Sequence, residues 1–80
     1  MKSTEKKIKK IISQHLGAEE KEIIASSSLI KDLNASPLEI ADLIAKLENF
    51  FQINTSAEDM KEFLTVNDIV TFFSENIDET

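Results

Sequence analysis

DLNASPLEIADLI, residues 32–44, passes from a short polar run through the chain's one proline into apolar residues at helical spacing. Ser36, Pro37, Leu38 and Glu39 fit an S-x-x-E capping box. The Ser36 hydroxyl would accept a first-turn N–H, Glu39 would reach back to the Ser36 N–H, and Pro37 would sit at the first helical position, where no N–H is needed. Ile40, Leu43, Ile44, Leu47 and Phe51 then recur at helical offsets, with Leu38 and Ala41 widening the stripe, while Glu39, Asp42, Lys46 and Glu48 make up the opposite face. This stretch therefore predicts an amphipathic helix with a sharply defined start.

Upstream, Ile8, Ile11, Ile12, His15 and Leu16 form another stripe, on a helix beginning near Ser3 and capped by Gly17. Residues 18–35 carry no sustained helical period, yet Ile23, Ile24, Leu29, Ile30 and Leu33 all call for burial. They predict a long ordered loop across the core, with the serines at 26–28 in a turn. Downstream, a short helix is expected from Ser56 to near Phe63. A last helix follows Thr65, with Asp68 three residues on and Val66, Ile69, Val70, Phe73 and Ile77 at helical offsets. Val occurs twice, and Gly and Pro once each, so hairpin and sheet signals are missing. The expected fold class is all-α, a four-helix antiparallel bundle with a long first loop and a short third helix, in one domain spanning 1–80.

At 80 residues the chain is too small for a deep catalytic cleft. The absence of cysteine removes disulfides, zinc–thiolate sites and thiol nucleophiles, in keeping with a reducing cytoplasm. No apolar run reaches the ~18–20 residues a bilayer requires, so no membrane insertion is expected. The net charge is −6, but residues 1–10 hold five lysines and one glutamate, net +4, which leaves −10 for the rest. Such a body repels nucleic acid and favours partners with basic patches, and the N-terminal lysines read as a solvated helix face. A small acidic bundle of this kind is most simply a monomer.

His15 is the single histidine and reads as a partly packed helix-end residue. No histidine pair offers metal ligands and no glycine-rich loop offers a phosphate cradle, so no enzyme motif is present. Ser36 stands apart by its position. A phosphate attached there would lie among free backbone N–H groups at the positive end of a helix dipole. The same hydroxyl needs no purpose beyond its cap, worth about 1 kcal/mol.

Three segments together resemble the acyl carrier protein family: SSLIKDLNASPLEIADLIAKLENFFQI, the first helix ending at Gly17, and FLTVNDIVTFF. The resemblance covers almost the whole chain. In that family the long loop ends in Asp-Leu-Gly-Ala-Asp-Ser-Leu, whose serine carries 4′-phosphopantetheine, and the acidic helix after it docks partner enzymes. Matched on Asp32, Leu33, Ala35, Leu38 and Glu39, the pattern puts Asn34 on the glycine, Ser36 on the aspartate and Pro37 on the modified serine. The attachment residue is thus displaced: Ser36 is the hydroxyl that remains, one residue early and ~100° around the helix start. Asn34 tolerates the left-handed backbone that glycine would supply.

The resemblance implies a non-enzymatic shuttle that holds acyl groups as thioesters on a 4′-phosphopantetheine arm at Ser36, in fatty-acid, lipid or polyketide synthesis. Its partners would be a phosphopantetheinyl transferase and acyl-transferring or condensing enzymes with basic patches, docking on Glu39, Asp42 and Glu48. Leu47, Phe51, Phe63 and Ile69 are candidates for lining an acyl pocket, and at their spacings they are core residues as well. The alternative is an unloaded adaptor that binds partners through its second helix, with Ser36 only a cap.

Overall fold

The structure, a computed structural model, describes residues 2–77. Met1 and residues 78–80, part of the expected 1–80 domain, lie outside the described residues. Four helices follow one another: α1 (Lys2–Leu16), α2 (Pro37–Phe51), α3 (Ala57–Lys61) and α4 (Val66–Asn76). α1 packs against both α2 and α4. Among the described residues there is no strand, only an isolated antiparallel bridge between Ser28 and Thr65, and no helix is long and apolar enough to cross a membrane.

The helix starts follow from local chemistry. α2, α3 and α4 each open with a complete capping box: Ser36 with Glu39, Ser56 with Asp59, and Thr65 with Asp68. Each box gives partners to two N–H groups at a helix start that would otherwise go without. α1 stops at Gly17, whose φ of 74° is left-handed and whose N–H donates to the Ser13 carbonyl at 2.9 Å. α3 ends at Lys61, short of the expected Phe63, because the chain turns tightly there and Leu64 N–H donates to the Glu62 carbonyl at 3.0 Å. α4 ends at Asn76, leaving Ile77 extended as its C-cap.

Ile8 and Ile12 of α1, Leu43, Ile44 and Leu47 of α2, and Val66, Ile69 and Phe73 of α4 meet in one core. Burying Leu, Ile or Phe side chains of this kind contributes about 1.5–3 kcal/mol each. Phe73 is its aromatic centre, with ring centroids at 5.8 Å from Phe51, 6.5 Å from Phe63 and 5.2 Å from Phe72.

The long loop is an ordered part of this core, with one short 3-10 turn at Glu20–Glu22. Ile23, Leu29 and Leu33 point inward. Ile24 and Ile30, expected to be buried, are instead about half exposed, at 55% and 54%. In both cases a turn sends one of two adjacent apolar residues in and the next one out. The Ser27 N–H donates to the Ile24 carbonyl, and the turn from Ser28 to Asp32 carries Ile30 on its outer side. Backbone bonds hold the loop to the α3–α4 junction: Leu29 N–H to the Leu64 carbonyl (3.0 Å), Val66 N–H to the Ser27 carbonyl (3.0 Å) and Asn67 N–H to the Ala25 carbonyl (2.9 Å). Ser27, itself buried, donates its hydroxyl to the Glu22 carbonyl and accepts the Ile24 N–H.

Candidate functional site at the start of the second helix

The approach to α2 is built by a chain of short-range bonds. Asp32 Oδ2 accepts the Ser28 N–H at 2.7 Å, while the N–H groups of Asp32 and Leu33 both donate to the Ser28 carbonyl at 3.0 Å. The Lys31 N–H donates to Ser28 Oγ at 3.1 Å. Asn34 then takes a left-handed backbone, with φ of 62°, as expected for the residue standing in a glycine position. This reversal buries Ala35, whose N–H donates to the Leu29 carbonyl at 2.8 Å, and delivers Ser36 in an extended conformation to the surface.

Ser36 is exposed. Its Oγ accepts the Glu39 N–H at 3.1 Å, and Glu39 Oε1 accepts the Ser36 N–H at 2.8 Å. The hydroxyl proton is not used in this pair, so the group keeps its capacity to donate or to act as a nucleophile. Both nearby carboxylates are committed to backbone N–H groups, Asp32 to Ser28 and Glu39 to Ser36. Pro37 fills the first helical position and has no hydroxyl.

The expected docking carboxylates do not share one face. Glu39 and Asp42 are exposed on the outer side of α2. Glu48, nine residues beyond Glu39, lies about 180° around the axis at 100° per residue. It is half-buried on the flank nearest α3, and its Oε2 accepts both the N–H and the hydroxyl of Thr55 at 2.6 Å. Leu38, placed by the sequence pattern at the edge of the buried stripe, is 72% exposed. It stands five residues before Leu43, a rotation of about 140° away from it, and so forms an apolar knob next to Ser36.

Of the residues considered for an acyl pocket, Leu47, Phe63 and Ile69 are packed into the core and Phe51 is half-buried against Phe73. Phe63 also reaches a cleft of about 330 Å³ that it lines with Ser28, Ile30, Lys31 and Leu64. The sequence reading missed this cleft, although the adjacent apolar pairs Leu29–Ile30 and Phe63–Leu64 were a signal for it. His15 is half-buried near the end of α1.

Comparison with known proteins agrees with this architecture. The family described as phosphopantetheine attachment site matches residues 6–73. The solved structure of a Mycobacterium tuberculosis protein assigned as an acyl carrier protein superposes with a TM-score of 0.83 at 30% identity, covering 90% of this chain and 96% of that one. The fold thus has its counterpart in a solved structure over nearly the full length of both chains. The chain belongs to the phosphopantetheine attachment family, whose members are non-catalytic carrier domains bearing covalent 4′-phosphopantetheine.

Proposed function

We propose that this domain is an acyl carrier whose 4′-phosphopantetheine arm is joined to Ser36 and holds acyl groups as thioesters in fatty-acid, lipid or polyketide synthesis. The observation that carries this reading is the exposed Ser36 hydroxyl, delivered by the Asn34 reversal to the start of α2 one residue before Pro37. It is the sole hydroxyl side chain in residues 32–44. In loading, Ser36 Oγ attacks a phosphorus of the coenzyme A diphosphate. An O–P bond forms to Ser36 as the bond from that phosphorus to the departing 3′,5′-ADP breaks, and the hydroxyl proton passes to a base on the transferase. The first-turn N–H groups of α2 and its dipole stabilise the resulting phosphodiester. The Glu39 N–H, which donates to Ser36 Oγ, would be among the donors available to that phosphate.

Glu39 and Asp42 flank this site on the outer side of α2 and suit the basic surfaces of a phosphopantetheinyl transferase and of acyl-transferring or condensing enzymes. Glu48 contributes field from the other flank. In this reading the domain works as a monomer in the cytoplasm.

A second reading, the unloaded adaptor, is favoured by one observation. The Ser36–Glu39 capping box is complete and accounts for Ser36 without any modification. Intact mass and peptide mapping of residues 34–46, after incubation with coenzyme A and a broad-specificity phosphopantetheinyl transferase, separate the two. The carrier gives an adduct on Ser36. No adduct, with a control carrier loaded in the same tube, supports the adaptor.

A further inference from the structure

The basic N-terminal segment, read from sequence as a solvated face, acquires a neighbour in the fold. Lys7, Lys10, Ile11 and Gln14 of α1 line a cleft of about 370 Å³ together with Phe50 from the last turn of α2. At 100° per residue, the four α1 positions fall within an arc of about 100° and span about two turns, which makes them a continuous stripe. This stripe lies about 110° around the axis from the one formed by Thr4, Ile8 and Ile12, which faces the core. α1 therefore has two seams, one covered by α2 and α4 and one open.

The open seam has a defined chemistry. Phe50 is 55% exposed, and its ring is held edge-on against Phe51 with centroids 4.9 Å apart, so it is a fixed apolar wall. Lys7 and Lys10 are exposed, and among the described residues neither amine is in an ion pair, whereas Lys9, about 150° around the axis from this seam, pairs with Glu5 at 3.2 Å. The rest of the molecule is strongly acidic, but it extends 34 × 27 × 18 Å. With a Debye length of about 8 Å at physiological salt, a ligand in the cleft senses chiefly the local lysines.

We propose that this cleft docks an acidic amphipathic helix of a partner protein. An apolar side chain of that helix seats against Phe50 and Ile11, and carboxylates one turn to either side meet Lys7 and Lys10. The helix-in-groove geometry matches a stripe two turns long beside a fixed aromatic ring. The concavity favours this occupant over a bilayer, which takes up protruding apolar side chains and does not fill clefts. An acidic body and a chain without arginine disfavour nucleic acid. A second copy docking through its Leu38 knob would join head to tail and propagate without necessarily closing. Phe50 is fourteen residues from Ser36, about 21 Å along α2, so this partner binds independently of the arm site, and the inference stands whether or not Ser36 is loaded.

The test uses the full chain, labelled with nitrogen-15, and a stapled helical probe of about fourteen residues with leucines along one face flanked by glutamates. Amide shifts should centre on Lys7, Lys10, Ile11, Gln14 and Phe50, and affinity should fall as salt is raised. The double reversal K7E/K10E, at exposed positions where the fold is retained, should weaken binding about fivefold or more, as expected for losing two exposed ion pairs and gaining repulsion. A matched probe with lysines for glutamates should not bind. The proposal is overturned by shifts centred elsewhere, by equal binding of the lysine probe, or by no shift at all. It is also overturned if phosphatidylglycerol vesicles or an oligonucleotide bind this seam in place of the acidic helix, or if concentration alone shifts Phe50 through self-association.

Discussion

Glu48 Oε2 receives both the backbone N–H and the hydroxyl of Thr55 at 2.6 Å, tying the last turns of α2 to the segment that leads into α3. Hydrogen bonds to a charged group are worth about 1.5–3 kcal/mol. Glu48→Ala should therefore lower stability by about that amount in a denaturant titration. A double-mutant cycle with Thr55→Val should show coupling between the two sites. If Glu48→Ala leaves the unfolding midpoint unchanged, the tie contributes nothing and the carboxylate is free for other contacts.

Ser36 serves as cap and as proposed attachment point, and two substitutions divide these roles. Ser36→Ala removes both and should cost about 0.5–2 kcal/mol. Ser36→Asp keeps a good N-cap and adds a favourable charge at the α2 dipole, so stability should hold while phosphopantetheine loading is lost. Loading that survives in Ser36→Asp would place the arm on another residue.

Pro37→Ser places a hydroxyl at the position that the resemblance in sequence matches to the family's attachment serine. The substituted protein should accept phosphopantetheine at residue 37, read by peptide mapping, with Ser36 still capping α2. Failure to load at 37, in a protein that folds, would mean that the Asn34–Ser36 approach no longer fits the transferase.

Gln52 closes α2 with φ of 58° and ψ of 45°, a left-handed conformation that lacks glycine's freedom. Gln52→Gly should stabilise the domain by roughly 0.5–1 kcal/mol, measured as a rise in unfolding midpoint. At Asn34, also left-handed, Asn34→Ala should cost about 1 kcal/mol, because the left-handed region is less accessible to alanine than to Asn.

The helices were legible because their determinants are local. The capping residues Ser36, Ser56 and Thr65 and the stripes through Ile8, Ile12, Leu43, Ile44, Leu47, Ile69 and Phe73 lie within a few residues of the features they specify. The extended Ser36 cap and the left-handed Asn34 were legible for the same reason. Less legible was the direction of side chains outside regular helix. Ile23 and Ile24, Leu29 and Ile30, and Phe63 and Leu64 are adjacent apolar pairs in which the first residue is buried and the second exposed. Local turns orient Ile24 and Ile30, and the pairing between the loop and the α3–α4 junction that holds those turns against the core joins segments that no window of sequence contains together. The two open clefts arise from the same cause, since each joins residues from distant segments.

The bonds that join Ala25, Ser27 and Leu29 to Asn67, Val66 and Leu64 link positions roughly forty residues apart, high-contact-order pairings in a helical bundle whose other bonds are mostly local. Of the three donating amides, Val66 and Asn67 open α4 and Leu29 belongs to a connecting loop by sequence, yet hydrogen exchange at Leu29 should be as slow as in α4, because its bond opens only when the α3–α4 junction leaves its place. Protease nicking should divide the loop accordingly. The exposed stretch Glu19–Glu22 is the vulnerable end, and residues 25–29 should resist cleavage until the whole domain unfolds.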